Sequence, residues 1–145
     1  MKSVAENLEN HDYISIERNK LFSRINNIDE RLEDFKGLLL KSVNYNADYS
    51  LNGLKYVELL LMQIKPDIEK DADLLTDSAL YIGETVKRTF NTKWDISVDK
   101  NNAARYGQPV ITGHENCQDF YPFVEINNFI AKPAIGYFKE VLQKV

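Results

Sequence analysis

Residues 74–94 read LLTDSALYIGETVKRTFNTKW, and this stretch decides the fold. Leu75, Ala79, Ile82, Val86 and Phe90 recur at steps of four, three, four and four, which places them on one face of an α-helix. Gly83 lies beside that face, one turn after Ala79. A glycine inside a helix costs about 1 kcal/mol relative to alanine. Here it predicts a notch at Ala79 and Gly83 where another part of the chain approaches closely. Asn91 and Thr92 stop the helix. In Lys93–Val98 the period then changes to two, with Trp94, Ile96 and Val98 alternating against Lys93, Asp95 and Ser97, as in a half-buried strand.

Upstream of this stretch the signal is helical. Residues 1–12 are polar and expected to be frayed or loosely docked. A long helix is predicted from about Ser15, with Leu21, Ile25, Ile28, Leu32, Phe35 and Leu39 at alternating steps of four and three. That stripe either packs on its own domain, the favoured reading, or forms the seam of a structural homo-oligomer. Asn44–Tyr49 reads as a loop and Ser50 as the N-cap of the next helix. In that helix Leu54, Val57, Leu61 and Ile64 form one face, while Leu59, Leu60 and Met62 fill the others. An all-round apolar helix is expected to be central and buried on most sides. Pro66 ends it near Ile64 and is a candidate first residue of the helix that follows.

Downstream, Asp99–Asn102 reads as a turn and Pro109–Thr112 as a second strand. The two strands form a hairpin that must pack on helices to persist, with the Ala79 and Gly83 notch as its platform. Gly113–Asp119 is a polar loop. Phe120–Ile130 carries both periods, and a helix opened by Pro122 is the favoured assignment. Ala134, Phe138, Val141 and Val145 mark a short C-terminal helix. The predicted fold is therefore a single α+β domain over residues 1–145, with N-terminal helices packed against a small antiparallel β-hairpin and C-terminal helices.

Composition narrows the function classes. The chain has 145 residues, is 43% hydrophobic and 11% aromatic, and can bury a sizeable core unaided. Its net charge of −4 argues against general binding of nucleic acid or anionic membranes. A single cysteine forbids an intrachain disulfide and suits a reducing cytosol. No signal-peptide apolar region and no spanning apolar run is visible, so a cytoplasmic protein is expected. Walker-type phosphate loops, GxGxxG, HExxH and GxSxG are all absent from the sequence, which argues against nucleotide enzymes and the common hydrolases.

Three constellations could carry a site. Asp67, Glu69, Asp71, Asp73 and Asp77 fall within eleven residues, opposed only by Lys70. At helical spacing Glu69, Asp73 and Asp77 form one row, with Glu84 two turns on from Asp77. Such a row either complements a helix N-terminus or receives a cationic protein partner. Second, His114, Glu115, Cys117 and Asp119 crowd one loop, but their spacing fits no zinc pattern. No metal or other cofactor is expected there, and a small enzyme with a cleft around His114, Cys117 and Glu84 is the alternative reading. Third, Tyr81, Glu84 and Arg88 share a helix face, with Glu84 and Arg88 at a favourable spacing for an ion pair.

Tyr81-Ile82-Gly83-Glu84, Arg88, Trp94, Gly107-Gln108-Pro109-Val110 and Pro122-Phe123 together resemble a pattern in small uncharacterised bacterial α+β domains. In those a YxGE helix leads into a tryptophan strand and a GxP strand. The resemblance covers residues 74–131 and implies an immunity-like, partner-binding role without assigned catalytic residues. With it, the expected function is a non-catalytic cytoplasmic bacterial protein, monomeric or weakly self-associating. It would bind a cationic protein partner through Glu69, Asp73, Asp77 and Glu84, with toxin neutralisation as the form the resemblance implies.

Overall fold

A computed structural model describes the backbone of residues 4–116 and 118–145, and the side chains from Asp12 onward apart from Cys117. Helices α1 (Val4–Ile25), α2 (Ile28–Arg31) and α3 (Glu33–Val43) lead through a loop into a 3₁₀ turn (Leu51–Gly53) and α4 (Leu54–Ile64). Next come α5 (Ala72–Phe90), strands β1 (Lys93–Ile96) and β2 (Pro109–Thr112), α6 (Pro122–Ala131) and α7 (Tyr137–Leu142). The architecture is thus mostly helical α+β, with helices around a two-stranded antiparallel hairpin.

The helix predicted from about Ser15 starts earlier, at Val4, and the stretch to Val43 is three segments. It breaks at Asn26–Asn27, residues that compete for backbone hydrogen bonds, and again at Leu32, whose φ of −90° and ψ of 6° leave the helical region. The apolar stripe survives the breaks. Leu21, Ile28, Leu32, Phe35 and Leu39 are all buried in the common core and Ile25 packs against it. The stripe is therefore filled from within the chain.

Ser50 caps as expected, its hydroxyl accepting from Gly53 N at 3.2 Å. α4 ends at Ile64, where Lys65 turns left-handed (φ 53°) ahead of Pro66. Pro66 does not open α5, which starts at Ala72, six residues later.

α5 is the axis of the molecule, packing against α3, α6, both strands and the 3₁₀ turn. Every residue from Ser78 to Val86 is buried. The predicted notch is filled: a methyl group on Gly83 would overlap the Trp94 indole and lie 2.9 Å from Pro122 Cγ. Phe90, expected in the core, is instead 38% exposed.

In the hairpin Trp94 pairs with Ile111 and Asp95 with Val110. Both periods of residues 120–130 are used in succession. Phe120 bridges to Ile111 through two backbone hydrogen bonds of 2.7 and 3.0 Å, and Pro122 then opens α6. α1 reaches β1 through an Arg18–Asp95 ion pair at 3.0 Å.

Candidate partner-binding surface

The link between α4 and α5 is shaped by its own carboxylates. Asp67 accepts the backbone N–H groups of Glu69 and Lys70, each at 2.9 Å, and Asp71 accepts that of Asp67 at 2.8 Å. These bonds fold residues 67–71 into a tight turn and hold Ile68 out at 54% exposure. Asp67 and Asp71 thus serve the turn, while Glu69 and Asp73 stand exposed with no ion-pair partner among the described residues.

The helical row of carboxylates does not form as expected. Glu69 lies in the turn before α5, outside the helix. Asp77 is half-buried against Arg31 of α2, with Arg31 Nε 3.3 Å from Oδ1, an ion pair not aligned as a hydrogen bond. Burial raises the Asp77 pKa, Arg31 opposes, and the charges of Asp73 and of Asp34 on α3 add to the rise. Asp34 is a neighbour that sequence spacing could not reveal.

Glu84 leaves the proposed contact set because it is buried, at 4% exposure. It accepts from Trp94 Nε1 at 3.1 Å and from Arg88 Nε at 2.6 Å. Arg88 also lies 3.3 Å from Asp29 and 3.9 Å above the Tyr49 ring, and the Tyr49 hydroxyl donates to Asp29 at 2.7 Å. The Tyr49 hydrogen bond holds Asp29 below the usual carboxylate range against the opposing effect of burial, with Lys36 helping. Burial disfavours the Arg88 charge, but the hydrogen bond and charge of Glu84 more than compensate. Tyr49 N donates to the Tyr81 hydroxyl at 3.2 Å. Tyr81, Glu84 and Arg88 therefore fasten the Asn44–Ser50 loop and the Trp94 strand onto α5.

Of the residues of the enzyme alternative, the two described ones, Glu84 and His114, are both buried. Both Glu84 oxygens are engaged, and His114 is buried edge-on to Phe90 with ring centroids 5.5 Å apart. Neither His114 nitrogen finds a hydrogen-bond partner of normal geometry among the described residues. Burial lowers the His114 pKa, with Asp119 opposing. Cys117 lies outside the described residues. Among the described residues no three or more His, Cys, Asp or Glu side chains are arranged to hold a metal ion. No helix among them is long and apolar enough to cross a membrane.

Sequence reasoning missed the exposed apolar side chains of α4 and of the acidic turn. Leu59 (38%), Met62 (36%) and Ile64 (40%) of α4 are exposed, as is Ile68. Met62 also lines a groove of about 390 Å³ with Leu61, Pro66, Phe129, Ile130 and Pro133. The available signal was the count of apolar residues on α4, more than one buried face could absorb.

Compared with known proteins, the chain matches no protein-family model, no curated sequence and no solved structure. The functional reading therefore rests on these side chains.

Proposed function

We propose that the chain is a non-catalytic bacterial protein that binds another protein through the outer end of α4 and the turn that follows it. One observation carries this reading: Met62, Ile64 and Ile68 are exposed in the same short segment of chain as Glu69 and Asp73, carboxylates with no ion-pair partner among the described residues. An apolar centre with a charged rim is the usual anatomy of a protein interface. The rim here is acidic, so it favours a partner with a basic contact face and speeds its approach at low salt. A toxin-neutralising immunity factor of the cytoplasm is the form implied by the resemblance to YxGE domains.

The contact set differs from the sequence expectation. Glu69 and Asp73 remain in it, Asp77 is held by Arg31, and Glu84 is buried. The test uses tagged protein purified from its native cells at low salt, alongside the Glu69→Lys/Asp73→Lys variant. A protein retained by the wild type, released by salt and lost from the reversal variant supports the proposal. Equal retention by both, or no retained protein, overturns it.

A further inference from the structure

A second cleft lies at the other end of α4. It encloses about 460 Å³ between the 3₁₀ turn, α4, the end of α5 and α7. That volume falls within the ordinary range of small-molecule sites. Leu51, Leu54, Phe90, Ile135 and Leu142 supply its apolar walls. Phe90 and Ile135 remain 38% and 52% exposed, so these walls are not closed by the chain itself.

The polar groups of the cleft are asymmetric. Its one carboxylate is Glu58, which is 1% exposed. One Glu58 oxygen accepts from Gly136 N and the other from Phe138 N, both at 2.9 Å. Those bonds anchor α7 on α4 and leave Glu58 without a free oxygen directed at a ligand. The two cationic lining residues, Lys55 and Lys139, are exposed and have no salt bridge among the described residues. The nearest engagement of either is the Lys55 ammonium 5.2 Å from the centre of the Tyr56 ring. The cleft therefore has apolar walls and two lining lysines without a salt bridge among the described residues, and it holds its only carboxylate in internal bonds.

We propose that this cleft binds a small single-chain amphiphile with an anionic head, of the fatty-carboxylate class. The chain packs against Leu54, Phe90, Ile135 and Leu142, and the head group lies between Lys55 and Lys139. Charge-assisted hydrogen bonds from the ammonium groups set the preference for an anion. The proposal is independent of the protein-binding surface, which lies beyond the opposite end of α4.

The experiment is a calorimetric titration of the full chain with sodium decanoate, with decyltrimethylammonium as the cationic control. Amide spectra recorded during the titration report the location. Saturable decanoate binding is expected, with shifts at Gly136 and Phe90 and no binding of the cationic analogue. Lys55→Ala/Lys139→Ala should weaken decanoate by about tenfold or more. Gln143→Trp, which fills the mouth from an exposed lining position, should abolish binding while the circular dichroism spectrum is unchanged. The proposal is overturned by the absence of saturable binding, by equal binding of the cationic analogue, or by full affinity in the double lysine variant.

Discussion

α4 and α5 follow one another in the chain and dispose of their side chains in opposite ways. α5 carries Ser78, Glu84 and Thr85 within an unbroken buried run. Each is satisfied internally: Ser78 Oγ donates to Leu74 O and Thr85 Oγ1 to Tyr81 O, both at 2.8 Å, while Glu84 accepts from Trp94 and Arg88. α4 is the more apolar helix, yet Leu59, Met62 and Ile64 face solvent. Burial follows what packs around a helix as well as its composition. Strands, loop and helices converge on α5, whereas α4 has neighbours on only part of its circumference. Apolar surface left over on α4 is, on the proposed reading, what a partner would cover.

Substitutions on α5 should produce the largest effects. Leu80, fully buried, should cost about 2–5 kcal/mol on change to alanine. Urea unfolding followed by Trp94 fluorescence measures this. A loss below about 1 kcal/mol would break the contrast between the helices.

Gly83→Ala comes next. On helix propensity alone it should stabilise by about 1 kcal/mol. The overlap with Trp94 and the contact with Pro122 reverse that sign, for an expected net loss of about 1–3 kcal/mol. A more stable variant would mean that the notch is not filled as described.

A smaller effect is expected where α5 emerges beside His114. Its folded-state pKa is depressed by burial, so the folded chain binds the imidazole proton less readily than the unfolded one. The stabilising contribution is therefore complete above the unfolded value of about 6.5 and is lost as pH falls through the lower folded value, at no more than about 1.4 kcal/mol per pH unit. His114→Phe should flatten the dependence of stability on pH in that window. An unchanged slope would contradict the burial of this ring.

The same contrast explains what could be read without coordinates. The α5 period, the turn into Trp94 and both strands were legible because each is written in residues a few positions apart, and Gly83 was legible as a glycine inside a helical period. The break at Asn26–Asn27 left the Leu21–Leu39 spacing intact, so periodicity could not reveal it. The site was less legible still. Glu69, Asp73, Asp77 and Glu84 share a sequence pattern, but their fates depend on where the helix starts, on Arg31 of another element and on the Trp94 indole. The Glu58 anchor to α7 spans 78 and 80 residues and carries no local signature beyond a lone carboxylate in an apolar helix.

The central claim is that the exposed apolar side chains of α4 and its following turn serve binding and not folding. The triple variant Leu59→Ser/Met62→Ser/Ile68→Ser tests it most directly, with urea stability and partner retention measured on the same preparation. Exposed positions of this kind ordinarily change stability by about 0.5 kcal/mol or less each. The account predicts near-wild-type stability and loss of the retained partner. A variant that unfolds like Leu80→Ala, or one that keeps its stability and still holds the partner, would contradict it.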